Sequence, residues 1–345
     1  MSKTYYSYSE VFLKPRYSEF HSRSEADTSI KFGNKTFKLP VVPANMECTM
    51  NVDKAKYMSK NEYFYIMHRF NADKTAPSNT DNKKFIEVAN KENWKTISIS
   101  LGVKDEDKEL IEHCINEELR IDFLTLDIAH AHSVRMKEML EFLHSVYKRG
   151  AYERPFIIAG NVASAGAVVD LENWGADATK VGIAAGASCR TYNETGFGVP
   201  MFSCILECSK IARRPIIADG GISECGDIAK ALVAGASVVM AGGIFARSID
   251  SPAETVYKNV SSNEYYAGGG PIIITKTYKQ YYGSASSHNK TGDSHIEGTL
   301  IELECDGISY ADKLRHMIGH LQSSISYAGG NLSTVEWGVK NNKKL

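Results

Sequence analysis

RPIIADGGISECGDIAKALVAGASVVMAGG, residues 214–243, decides the fold. Two short runs rich in Ile, Val and Ala, RPIIADGG (214–221) and SVVMAGG (237–243), flank a stretch at 224–234 with a helical pattern. Strands that are apolar almost throughout are buried on both faces, the condition of a parallel sheet covered by helices. The unit recurs along the chain. LPVVPA (39–44), YFYIMH (63–68), WKTISISL (94–101), IDFLTLDIA (121–129), PFIIAGN (155–161) and DATKVGI (177–183) precede it, with helical patterns at 105–118, 133–148 and 164–174. Strand and helix alternating eight times is the count of an α/β (β/α)8 TIM barrel. The open doubly wound sheet is disfavoured, because no GxGxxG opens a helix after the first strand.

The 345 residues suffice for one such barrel with extensions. The expected division is a single catalytic domain with an N-terminal extension over 1–37 and an insertion over about 250–305. A polar C-terminal tail at about 331–345, ending GVKNNKKL, is expected to fray. Residues 250–300 are rich in Gly, Ser, Tyr and Asn and read as a long active-site loop. The pattern at 310–329 supplies the closing helix, with Gly329-Gly330 as its stop.

Forty Lys and Arg against 41 Asp and Glu leave a net charge of -1, which argues against a nucleic-acid-coating protein but allows a local basic pocket. No apolar run is long enough to span a membrane and no signal peptide opens the chain, so a cytoplasmic protein is expected. Seven cysteines without a CxxC pair do not read as a disulfide framework or a zinc site. Cys204 and Cys208, at i and i+4, fit one buried helix face. His130 and His132 lack the further ligands a metal site requires.

The strand ends carry the polar and glycine residues: Asn45, His68, Gly102, Asp127, Asn161, Gly182, Asp219 with Gly220-Gly221, and Gly242-Gly243. In a barrel that rim is where sites are built. KVGIAAGASCRTYNETGFGVP (180–200) runs from a strand into small residues that let a ligand approach the backbone, then presents Cys189 and Thr191. ADGG (218–221) and AGG (241–243) have the form of phosphate cradles after the last two strands. Asp219 would repel a phosphate, so its partner is a sugar diol, unless it only caps the next helix.

These residues together resemble the IMP dehydrogenase and GMP reductase family. The resemblance rests on Cys189 in its loop, ADGG, AGG, IAGN (158–161) and LDIAH (126–130). SRSEADTSIKF (22–32), KLPVVPANMECTM (38–50), YFYIMHRF (63–70) and QSSISYAGG (322–330) extend it from about residue 5 to residue 330. The family's dehydrogenases usually carry an inserted pair of CBS modules, for which this chain has no room. They also present an Arg-Tyr pair on the flap, absent from QYYGSASSHNKTGDSHIEG (280–298). The reductase branch is therefore the closer likeness. It implies reductive deamination of GMP to IMP and ammonia with NADPH, in purine nucleotide salvage, by a homotetramer. A CBS-less IMP dehydrogenase using NAD, or a reductase of a modified purine nucleotide, is the alternative.

By position, the resemblance makes Cys189 the nucleophile and Thr191 and Glu297 its proton relay and donor. Asp219 takes the ribose hydroxyls, and Gly220, Gly221, Gly242, Gly243 and Ser286 line the phosphate and substrate site. Asp127, Asn161, His130 and Gly182 face the cofactor. Carbonyls of Gly182, Ala184 and Cys189 are the candidates for a K+ ion. The cysteine loop departs from the family pattern: Ala184 stands for a glycine, Ala185 for a proline, and Ala187 for a residue that is often a phosphate-binding serine.

Overall fold

The computed structural model describes residues 4–149, 153–265, 271–283, 286 and 298–340. Its centre is a parallel sheet of β1 (Val41–Pro43), β2 (Ser98–Leu101), β3 (Phe123–Asp127), β4 (Phe156–Val162), β5 (Ala178–Val181), β6 (Ile216–Asp219) and β7 (Val238–Ala241). The strands follow one another from β2 to β7, and β7 then pairs with β1, so the sheet curls round on itself. Residues 63–68 occupy the remaining place. Their side chains alternate as in a strand, Phe64 and Ile66 into the barrel and Tyr63, Tyr65 and Met67 outward. The ladder forms there only at Met67, which bridges Ile99. The expected eighth strand is thus a single bridged residue, anchored further by the Tyr65 hydroxyl on the Thr96 carbonyl at 2.8 Å. The architecture is the (β/α)8 TIM barrel.

Helices cover the outside at Asp105–Asn116, Val134–Arg149, Ala165–Trp174 and Cys225–Val233, within a residue or two of the sequence reading. Met201–Ser209 is also helical and buries Cys204 and Cys208. Val52–Lys60 and Thr80–Lys91 are helices that the apolar periodicity does not announce. The last helix, Tyr310–Tyr327, starts at Ser309, whose Oγ accepts the Asp312 amide at 3.1 Å. It stops where Gly329 and Gly330 take φ of 69° and 97°, the left-handed region that favours glycine. Its buried Tyr310 donates to the Thr49 carbonyl at 3.0 Å, which ties the final helix to the start of the barrel.

Two expectations are corrected. Residues 250–300 are not simply a loop: Thr255–Tyr265 and Pro271–Tyr281 form a long antiparallel pair, and Ile301–Glu304 adds a third strand beside the latter. The polar tail is docked as far as residue 340. Trp337–Val339 pairs antiparallel with Val11–Leu13, because Trp337 packs edge-on against Phe202 and Tyr6.

The N-terminal mouth of the barrel is stopped by a hairpin, Ile30–Phe32 with Lys35–Phe37. Phe32 and Phe37 enter a cluster with Phe64, Phe123 and Phe156, with ring centroids 4.9–5.9 Å apart. That packing leaves the C-terminal mouth as the open end.

Candidate functional site

At the C-terminal mouth lies a cavity of ≈ 380 Å³, within the range of a small-molecule site. It is walled by the ends of β3 to β7 and by the loop carrying Cys189. Strand alternation sets its floor. On β5, Ala178 points into the barrel core, so Lys180, two residues on, points inward at the upper level. Asp127 ends β3 and Asp219 ends β6 at the same level.

These three charges meet. Lys180 Nζ lies 2.9 Å from Asp127 Oδ1 and 2.6 Å from Asp219 Oδ2. Asn45 Nδ2 donates to Asp127 Oδ2 at 2.7 Å, and Asn161 Nδ2 donates to Asp219 Oδ2 at 2.8 Å. Burial alone would raise the Asp127 carboxyl, but the Lys180 ammonium and the Asn45 amide carry it below the usual carboxylate range. Burial likewise works against charge on Lys180, and the two carboxylates overcome it, holding the ammonium above its ordinary value. Asp219 does not serve as a helix cap. The helix Cys225–Val233 is capped by Asp227, whose Oδ2 accepts the Ser223 and Glu224 amides at 3.2 and 3.1 Å.

The Asn161 side chain also donates to the Gly182 carbonyl at 2.7 Å, and its own Oδ1 is buried without a partner among the described residues. Gly182 has no room for a side chain: a Cβ there would meet the Asp219 carbonyl oxygen at 1.9 Å. The cysteine loop is thereby pressed onto the end of β6. Within it Ala184 takes φ of 62°, the left-handed conformation a glycine would hold without strain. Alanine at the family's glycine position keeps that conformation.

Cys189 is half-buried beside the cavity, with its Sγ 3.2 Å from Thr191 Oγ1. It forms an antiparallel bridge to Gly298, and the Thr299 amide donates to the Ser188 carbonyl at 2.9 Å. The chain returning from the 255–281 strands is thus stitched to the Cys189 loop. Glu297 lies outside the described residues. Ser286 is buried and pairs with Gly298, its Oγ has no partner among the described residues, and it is not part of the cavity wall.

Gly220, Gly221, Gly242 and Gly243 all line the cavity. A Cβ on Gly242 would meet the Tyr281 hydroxyl at 2.2 Å, so the glycine lets the phenol reach across the cradle. Arg247 lines the wall beside these glycines and makes no side-chain ion pair among the described residues. His130 is not brought into the site. It is exposed near His132, which pairs with Asp170 at 2.8 Å and stacks on Trp174. Among the described residues no three His, Cys, Asp or Glu gather to hold a metal.

Lys180, Tyr281 and Arg247 are the site residues the sequence reading does not single out. Only Lys180 carries a usable signal, a charge set at an inward position of an otherwise apolar strand. Asn45 reads merely as a rim residue until its bond to Asp127 is seen.

A profile of the IMP dehydrogenase / GMP reductase domain matches residues 5–336. Curated relatives span nearly the same length. A protein named GMP reductase from Staphylococcus carnosus is 43% identical over 94% of this chain and 92% of its own length. One of the same name from Leptothrix cholodnii is 42% identical over 94% and 91%. Another, from Mycoplasma mycoides, is 42% identical over 94% and 93%. With its barrel, its cysteine loop and its paired carboxylates, the chain belongs to the IMP dehydrogenase and GMP reductase family.

Proposed function

We propose that this protein is a GMP reductase, converting GMP to IMP and ammonia at Cys189. The observation that carries the reading is the contact of Cys189 Sγ with Thr191 Oγ1 at the edge of a cavity whose floor is carboxylate and whose far wall is glycine. Support comes from the relatives of the same length that bear that name.

The residues divide the work. Backbone amides of Gly221, Gly242 and Gly243 take the phosphate, and Arg247 stands close enough to these turns to neutralise it. Asp219 accepts the ribose hydroxyls and Gly220 keeps the turn close. The Cys189 sulfur attacks C2 of the purine. The C2–N bond breaks, and the departing amine takes up a proton as ammonia. An amine leaves only when protonated, so Thr191 relays a proton that Glu297, the residue before Gly298, supplies. NADPH, when bound, supplies the hydride that ends at C2. Cys189 then leaves C2 as the product IMP is released.

Asp127 and Asn161 face the reduced nicotinamide side, and the unpartnered Asn161 Oδ1 is an acceptor suited to a carboxamide or hydroxyl donor. Gly182 shapes that side through its contact with β6, and His130 is assigned no part. Ser286 is kept as a residue supporting the flap against Gly298. Of the Gly182, Ala184 and Cys189 carbonyls read as candidates for a K+ ion, that of Gly182 already accepts the Asn161 side-chain amide. No step is routed through one. The whole chain acts as one catalytic unit, with cytoplasmic placement and homotetrameric assembly expected from the resemblance. No described helix is long and apolar enough to cross a membrane.

The test is the near-ultraviolet absorbance of NADPH with purified protein and GMP. A GMP-dependent fall, with IMP and ammonia formed and abolished in Cys189→Ala, is the expected result. Silence with GMP, and NADH formed from IMP and NAD, would transfer the chain to the dehydrogenase branch.

A further inference from the structure

Lys180 is the most deeply buried charge of the site, with its side chain 3% exposed. It sits on β5, between the strands that carry its two partners in the order β3, β4, β5, β6. Asp127 and Asp219 each lie within hydrogen-bond reach of the same nitrogen, so they are near neighbours, and without a cation between them they would repel. Their separation and direction therefore depend on Lys180. The arrangement has a further consequence. Lys180 and Asn161 both bind Asp219 Oδ2, and Oδ1 is left with no partner among the described residues. That free oxygen belongs to a carboxylate lining the cavity.

We propose that Lys180 is a positioning residue for nucleotide binding: it clamps Asp127 and Asp219 into one rigid unit and so presents Asp219 Oδ1 to the vicinal hydroxyls of a ribonucleotide. It touches neither substrate nor cofactor in this role. It acts by holding the substrate-side and cofactor-side carboxylates at a fixed separation with a combined charge of one negative unit. The other charged or titratable groups that face this unit are Arg69 toward Asp127, and Tyr8 and Tyr281 toward Asp219. Of these only Arg69 carries a positive charge that could stand in part for the ammonium.

The inference rests on the reading of Asp219 as the ribose group, and equilibrium GMP binding without cofactor separates the two. Wild-type protein that does not bind GMP defeats that reading. Given wild-type binding, Lys180→Met, which keeps most of the side chain's length without its charge and leaves two carboxylates facing each other, is expected to weaken GMP about 10- to 100-fold. The decisive variant is the double substitution Asp127→Asn with Lys180→Met. It restores the single negative charge and leaves Asp219 with Asn161, so GMP affinity is expected to recover to within a few-fold of wild type. A packing role for Lys180 predicts the opposite, because the second change removes another native bond. Deoxy-GMP lacking the 2′-hydroxyl should show less loss in Lys180→Met than GMP does. The proposal is overturned if Lys180→Met binds GMP like wild type. It is overturned equally if the double variant binds no better than the single, or fails to fold.

Discussion

The two mouths of the barrel are lined by the same strands and differ in kind. Two residues on from Phe123 is Thr125 and two further is Asp127, so β3 alone runs from an aromatic plug to a charged rim. β5 passes from Ala178 to Lys180 and β6 from Ile217 to Asp219 in the same way. At the closed mouth Phe32, Phe37, Phe64, Phe123 and Phe156 pack ring against ring over an apolar cluster. At the open mouth Asp127, Lys180 and Asp219 are held by counter-charges and amides. The first arrangement excludes water and stabilises. The second buries charge in pre-set directions, which costs folding energy and is useful only where a ligand arrives. Mutations at the two ends should therefore separate stability from activity.

The largest effect belongs to the open end. Cys189→Ser is expected to lower kcat by roughly 10⁴- to 10⁶-fold, because the covalent route is lost, with thermal stability unchanged. Stopped-flow and steady-state assays of NADPH consumption check it. Thr191→Val comes next, removing the hydroxyl 3.2 Å from the sulfur while keeping its shape. A fall of about 10²- to 10⁴-fold in kcat with little change in GMP binding is expected. Equal losses in binding and kcat would mean that Thr191 shapes the loop and does not relay a proton.

The closed end should give the reverse. Phe123 is fully buried and touches the rings of Phe32, Phe37, Phe64 and Phe156. Phe123→Ala is expected to cost about 3–5 kcal/mol of unfolding free energy, read from urea denaturation. The kcat of the protein that remains folded should stay within a few-fold of wild type. A large fall in kcat at full folding would break the separation between the mouths, and would show that the plug sets the geometry of the rim through the strands.

How much of this was legible beforehand follows from what each signal depends on. The barrel and its rim were, because β3 to β7 are short, apolar and bounded by glycine or aspartate, a pattern set by local burial. Cys189, Thr191, Asp219 and the glycines were legible from motif and resemblance together. The antiparallel pair 255–265 and 271–281 was not: its strands mix Tyr, Thr and Lys with a few aliphatics, are half solvent-facing, and are held by each other more than by a core. Asn45, Lys180 and Tyr281 were invisible as partners because their roles exist only across strands far apart in sequence. Lys180 meets Asp127 across the barrel, and no spacing along the chain encodes that meeting.

The smallest predicted effect tests a backbone torsion at the open end. Ala184 holds φ of 62°, which for an alanine costs about 1–2 kcal/mol relative to a right-handed or extended backbone. Glycine removes that cost and adds unfolded-chain entropy, so Ala184→Gly is expected to stabilise by only about 0.5–1 kcal/mol. The interest lies in the activity. The loop is pinned at Gly182 by Asp219, at Ala185 by Gly220 and at Cys189 by Gly298. With three such anchors, relaxing one torsion should leave the sulfur where it is and GMP affinity within a factor of about two. A gain in stability with a loss in kcat would mean instead that the alanine restricts the loop to the geometry that presents Cys189. In that case the open mouth, like the closed one, would depend on a side chain that touches no ligand.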